Sequence, residues 1–243
     1  MKVQFMLTCL CDAFYGEVGI AAIRVLEHAG CTVEFASDQT CCGQPPYNSG
    51  DWAAARKIAD HAKRVFNASD APIVCGSASC TAMLREGYEL LYPGQPHMRA
   101  YELSEFLLTV VNVTEWPQLK PAPRVAFHRS CHGRGIGLGD SAERLLQLAG
   151  VELVPFPAAD QCCGFGGAFS VTHPKVSGEI GIEKLHQIAG AEVEEIVSGD
   201  MGCLMHLGGL IKRQKLPFRT RHYAELLAEA LPIKESTVAA TTR

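Results

Sequence analysis

Short apolar runs alternate with longer stretches of helical periodicity along the whole chain. Lys2 to Thr8 reads as a buried strand, and Gly16 to Ala29 as an amphipathic helix stopped at Gly30. Val33 to Ala36 is a second strand. A loop rich in turn formers, Gln39 to Gly50, leads to Asp51, which caps a helix ending at Phe66. Pro72 to Cys75 is a third strand, followed by a helix that opens near Cys80 and runs to Leu91. Met98 to Tyr101 and Ser104 to Val111 add a strand and a helix.

The pattern then repeats. Trp116 to Pro123 carries three prolines and reads as a linker, because proline continues neither a helix nor a central strand. Strands follow at Arg124–His128, Val151–Phe156, Glu194–Val197 and Phe218–Thr220. Helices are expected at Asp140–Ala149, Pro174–Ala189, Met201–Gln214 and His222–Leu231, with the last ten residues as a loose tail. Strand alternating with helix predicts an α/β fold of two duplicated Rossmann-like units, each a small parallel sheet flanked by helices. The expected division is a first unit over 1–116, a linker over 117–123, a second unit over 124–233 and a tail over 234–243.

Cysteine spacing makes the duplication explicit. Cys9, Cys41 and Cys80 recur as Cys131, Cys162 and Cys203, at offsets of 122, 121 and 123 residues. Each half also holds a vicinal pair, Cys41-Cys42-Gly43 and Cys162-Cys163-Gly164. Leu26 to Gly30 and Leu146 to Gly150 fall into the same frame, and self-similarity at a fixed period is the mark of a repeated unit. Every repeated cysteine lies at the carboxyl end of an expected strand, where open α/β sheets bind ligands.

Composition narrows the chemistry. The 243 residues are 47% hydrophobic and 20% charged, which describes a globular chain. A net charge of −4 without a basic tract argues against a nucleic-acid surface. No apolar run reaches the roughly eighteen residues of a membrane span, and the opening segment is too short for a secretion signal, so the expected location is cytoplasmic. Eleven cysteines are then better explained by metal or redox chemistry than by a disulfide framework.

Thiolates favour zinc, copper(I) or iron-sulfur clusters over hard cations. Two metal-sulfur sites are expected, one from Cys9, Cys41, Cys42 and Cys80, the other from Cys131, Cys162, Cys163 and Cys203. A structural zinc knot usually shows close Cys-x-x-Cys hooks, and long spacings joined by a vicinal pair suit a bulkier cluster better. Gly164, Gly166 and Gly167 would bring backbone N–H groups to the sulfurs, and Arg129 and Arg134 flank Cys131. Cys11, Cys31 and Cys75 have no partners in the second copy and are expected to pack. His206, three residues after Cys203, is either an additional ligand or proton donor or a surface residue, and the same alternatives hold for His128 and His132.

At these residues the chain resembles the cysteine-rich, or CCG, domain family, which includes a cluster-bearing component of heterodisulfide reductase and the iron-sulfur subunits of glycolate oxidase and anaerobic glycerol-3-phosphate dehydrogenase. Thr8-Cys9-Leu10, Cys41 to Pro45 with Tyr47 to Gly50, Cys162 to Gly167 and Gly202 to Met205 look most like its lactate-utilisation members. The resemblance implies an iron-sulfur electron-transfer subunit of a cytoplasmic complex that oxidises L-lactate to pyruvate, inactive without its partners. It also implies one or two clusters of the 4Fe-4S kind, with a ferredoxin-type iron-sulfur protein among the partners. In heterodisulfide reductase each half ends in Cys-x-x-Cys and holds a noncubane cluster; here Met83 and His206 stand in place of the final cysteines. The alternatives are a free-standing iron-sulfur oxidoreductase related to heterodisulfide reductase and a zinc-stabilised interaction module. No catalytic residue is assigned, and no convincing dinucleotide fingerprint is present.

Overall fold

The computed structural model describes residues 1–96 and 98–232. Its first half runs β1 (Lys2–Met6), α1 (Cys9–Phe14), α2 (Gly16–His28), β2 (Thr32–Glu34), α3 (Gln44–Asn48), α4 (Trp52–Phe66), β3 (Ile73–Cys75), α5 (Ala78–Ala82), a π turn (Met83–Gly87), α6 (Tyr88–Leu91), β4 (Ala100–Glu102) and α7 (Leu103–Thr109). The second runs β5 (Arg124–Phe127), α8 (Cys131–Gly135), α9 (Ser141–Leu148), β6 (Glu152–Leu153), α10 (Ala168–Thr172), α11 (Pro174–Ala189), β7 (Glu195–Ser198), α12 (Met201–Gln214), β8 (Arg219–His222) and α13 (Tyr223–Glu229). The fold is two four-stranded parallel sheets, ordered β2-β1-β3-β4 and β6-β5-β7-β8. Phe5 pairs with Val74 and Phe127 with Val197, so the repeat holds down to sheet register. Central strands such as Ile73–Cys75 and Glu195–Ser198 are buried throughout, as parallel strands covered by helices on both faces must be.

The two halves share one core. Helix α13 packs on α2, and α7 packs on α9, so the last helix of each copy covers the first long helix of the other. The largest apolar cluster mixes Val25, Leu26, Leu103 and Phe106 with Leu145, Leu146, Leu227 and Tyr223. The proline-marked stretch belongs to this core. Its prolines prevent regular structure, but Trp116 and Leu119 are buried, the Trp116 indole N–H donates to the Leu227 carbonyl at 3.0 Å, and the Leu119 N–H donates to the Ala149 carbonyl at 2.9 Å. The stretch straps the halves together rather than spacing them.

Four short helices, α1, α3, α8 and α10, occupy segments expected to be loop. In α3, Pro45 and Pro46 sit in the first turn, where a missing N–H costs nothing. Strand β6 spans two residues instead of Val151 to Phe156, because Pro155 and Pro157 remove donors that a longer ladder needs. The expected tail, 234–243, lies outside the described residues. Among the described residues no helix is long and apolar enough to cross a membrane.

Candidate metal-sulfur site

The single cysteines sit in the first turns of helices that start at strand ends, and each helix is held by a side-chain cap. The hydroxyls of Thr8, Ser77 and Ser130 accept from the N–H groups of Cys11 (3.3 Å), Cys80 (3.5 Å) and Gly133 (3.1 Å). The Asp200 carboxylate accepts from Gly202 N–H at 3.2 Å. The vicinal pairs lie on loops, and each is followed by a glycine in the left-handed region, Gly43 at φ 88° and Gly164 at φ 92°. That reversal turns backbone donors back onto sulfur. Gly43 N–H lies 3.4 Å from Cys41 Sγ, Gly164 N–H 3.3 Å from Cys162 Sγ, and Phe165 N–H 3.5 Å from Cys163 Sγ.

All eight repeated cysteines line one cavity of about 310 Å³ between the two halves. Cys9 and Cys41 are 3.6 Å apart at sulfur, and Cys42 and Cys80 are 3.5 Å apart. In the second half, the sulfurs of Cys163 and Cys203 lie within 4.8 Å of each other. Cys42, Cys80, Cys163 and Cys203 form the buried floor, while Cys9, Cys131 and Cys162 are exposed at the mouth. The two quartets that the spacing sets apart in sequence thus face a common space.

The electrostatics repeat as well. Hydrogen bonds from Cys42 and Cys9 hold the Cys41 thiol down to about 3, and those from Cys131 and Cys163 hold Cys162 far below the usual thiol range. Their donors Cys9 and Cys131 are pushed up for the same reason. Cys80 is lowered as well, by Cys42 and Cys75, whereas its counterpart Cys203 is raised, so each half holds at least one thiol, Cys41 or Cys162, poised as the soft, anionic ligand a metal requires.

The environments of the halves differ. Gln44 Nε2 lies 2.9 Å from the Ser79 carbonyl and 3.1 Å from His132 Nε2 in the other half. Because the Gln44 amide nitrogen can only donate, His132 Nε2 accepts, and the proton of the neutral ring sits on Nδ1, 3.8 Å from Cys131 Sγ. Asp200 reaches across too, accepting from Ser79 N–H at 2.9 Å; burial raises its carboxyl above the usual range. Lys184, buried beneath the second vicinal pair, donates to the carbonyls of Ala158 (2.6 Å), Ala159 (2.8 Å) and Gln161 (3.2 Å), and burial lowers it to about 8. It ties down the loop leading to Cys162 and sets a positive charge behind it. The buried face of α11, Ser177, Gly181, Lys184 and Ile188, corresponds in the repeat to Ala55, Ala59, Ala62 and Phe66 of α4, so Lys184 stands where the first copy has Ala62.

Other sequence candidates separate. His206 Nε2 faces the Ser177 carbonyl at 3.2 Å, and among the described residues it belongs to no close group of metal-ligating atoms. Such a group does form from His128, Cys163 and Cys203, whose donor atoms all lie within 4.8 Å of one another. Arg129 turns away to Glu143, at 2.6 Å, and Asp160. Cys11, Cys31 and Cys75 all pack in buried apolar clusters, Cys75 in the one that also holds Cys42 and Cys80. Gln44, Lys184 and Asp200 were not picked out from sequence. A lysine on the buried stripe of α11 is the signal that could have found one of them.

The donor set, soft thiols with backbone N–H groups aimed at them, fits a metal-sulfur group. The family model of the cysteine-rich CCG domain matches residues 3–85 and 125–208, once for each half. Lactate utilization protein A of Geobacillus kaustophilus is 42% identical over 238 residues, covering 93% of this chain and 98% of that protein. The protein of the same name from Oceanobacillus iheyensis is 37% identical, covering 93% and 96%. Lactate utilization protein A 2 of Bacillus cereus strain Q1 is 36% identical over 242 residues, covering 95% and 99%.

Proposed function

The chain belongs to the cysteine-rich CCG domain family, and from that membership we propose that it serves lactate utilisation as an iron-sulfur electron-transfer subunit of an L-lactate-oxidising complex. The observation that carries this reading is the convergence of eight thiols from both copies on one cavity. Cys9, Cys41, Cys42 and Cys80 would hold one cluster, and Cys131, Cys162, Cys163 and Cys203 the other. An iron-sulfur cluster bound there supplies one-electron redox chemistry. The chain's own residues hold the thiolates and moderate their charge. Gly43, Gly164 and Phe165 donate backbone N–H groups to sulfur, the Gln44–His132 relay orients Cys131, and Lys184 offsets negative charge from behind. Cytoplasmic location and a ferredoxin-type partner are parts of the same proposal.

Protein purified without oxygen is expected to contain iron and acid-labile sulfide, and to oxidise lactate with a dye acceptor only when its partner proteins are added. Stoichiometric zinc without sulfide would defeat the electron-transfer reading, and robust turnover by the pure chain would defeat the subunit reading. Zinc is the second reading, a zinc-stabilised interaction module. It is favoured by the group of His128, Cys163 and Cys203, since two thiolates and an imidazole are a zinc donor set.

A further inference from the structure

His128 is the buried polar side chain whose place the hydrogen bonds of the fold do not explain. It is 1% exposed, and neither Nδ1 nor Nε2 has a hydrogen-bond partner. Its backbone is fixed on both sides, with its N–H donating to the Val197 carbonyl at 2.7 Å and its carbonyl accepting from Ser198 Oγ at 2.9 Å. The ring is thus held beside Cys163 and Cys203, with a nitrogen inside the 4.8 Å group they form. A neutral imidazole taken from water needs a partner for its nitrogen lone pair, and a metal ion is one that this place offers.

The duplication supplies an independent comparison. Strand register sets His128 opposite Met6 and Ser198 opposite Cys75, while Cys163 and Cys203 correspond to Cys42 and Cys80. The first copy therefore offers a thioether and a thiol at the two places where the second offers an imidazole and a hydroxyl. Met6 is fully buried in an apolar cluster with Cys42, Cys75 and Cys80, so its neighbours there include three thiols. At the matching place the first copy carries a thioether sulfur, and the second an imidazole nitrogen within reach of its thiols.

We propose that His128 is a nitrogen ligand of the second metal-sulfur centre, acting with Cys163 and Cys203, so that the two halves hold centres with different ligand sets. This rests on the iron-sulfur reading above for the identity of the centre. With His128, Cys163 and Cys203 as three of its ligands, a four-ligand cluster takes only one further thiolate from Cys131 and Cys162 rather than both; a neutral imidazole in the place of that anionic thiolate leaves the cluster less negatively charged, so nitrogen ligation raises its potential. The second centre is then the better electron acceptor of the two.

The test uses the full chain, purified without oxygen, reduced, and labelled with nitrogen-15 in histidine. Pulsed electron paramagnetic resonance should show the strong coupling of a directly bound histidine nitrogen. That coupling should persist in His206→Gln and disappear in His128→Met, the residue of the first copy, with the potential of one centre falling. Because the wild-type spectrum already decides between bound and unbound nitrogen, the test survives if His128→Met does not fold. Iron and sulfide present without a strongly coupled histidine nitrogen, or with one that His128→Met retains, would overturn the ligand assignment and leave the electron-transfer reading standing. Absence of iron and sulfide would instead defeat that reading. Cobalt(II) added to the metal-free chain then decides the ligand: a bound-cobalt spectrum altered in His128→Met sustains it, and an unaltered one overturns it.

Discussion

Alanine placed at Gly43 and at Gly164 should give different outcomes, although the repeat makes the two glycines equivalent. Both have φ near +90°, and forcing an L-residue into that region costs roughly 1–2 kcal/mol. Their surroundings separate them. A Cβ at Gly43 would sit 3.4 Å from the Ala55 carbonyl oxygen and from Ile58 Cγ2, which is ordinary contact. At Gly164 it would overlap the Ser177 carbonyl oxygen and come within 3.1 Å of Gly181 N, both backbone atoms of the buried face of α11. The Ser177 hydroxyl also clamps the Gly164 carbonyl at 2.8 Å, so the loop has no free direction in which to retreat. Overpacking of this kind adds about 1–3 kcal/mol. Gly43→Ala should therefore lose ~1–2 kcal/mol and Gly164→Ala ~2–5 kcal/mol in chemical denaturation of the metal-free chain. Metal content of anaerobic preparations should fall by about half in Gly164→Ala, since the displaced loop carries Cys162 and Cys163, and little in Gly43→Ala. Equal losses in the two variants, or a Gly164→Ala as stable as Gly43→Ala, would refute the reasoning.

Cys75→Ser should keep its metal while Cys80→Ser loses that of the first half, because the repeat already holds a serine, Ser198, at the Cys75 position with its hydroxyl on a strand carbonyl at 2.9 Å; metal analysis that shows equal loss would add Cys75 to the ligands. Burial depresses Lys184 to about 8 from 10.5, so the unfolded chain binds the extra proton between those values and stability contributed by this group rises with pH across that window. Unfolding free energies of wild type minus Lys184→Met should therefore grow from pH 8 to 10.5, by roughly 3 kcal/mol at most and less where water screens the ammonium, and a flat difference would contradict it. Trp116→Ala should cost about 3–5 kcal/mol in a single cooperative transition, because the indole is buried across both halves; two separate transitions in its denaturation curve would show that the halves are not joined through this core.

Much of the architecture was legible because its signals are local. Helices α11 and α12 appear at the residues their periodicity marks, and Asp51 caps α4 as its side chain predicts. The cysteine register likewise located every thiol that the cavity brings together. What the chain did not disclose depends on contacts between elements far apart in sequence. Trp116 reads as linker because its prolines are local and its acceptor, Leu227, lies in the other half. His128 and His206 looked alike on spacing alone; only the fold shows that one nitrogen meets Ser177 and the other meets Cys163 and Cys203.

The crossed placement of α7 and α13 carries a consequence for a single copy of the unit. Alone, it would leave much of the apolar side of its first long helix bare, and its last helix would lose its main partner in the other copy. Two identical units could satisfy each other by reciprocal exchange around a twofold axis, enclosing the cavity between them. Such a homodimer would be bound to present the same residues twice. Tandem fusion removes that obligation: a histidine can replace a methionine, and a lysine an alanine, on one side of the axis while the other side keeps its original chemistry.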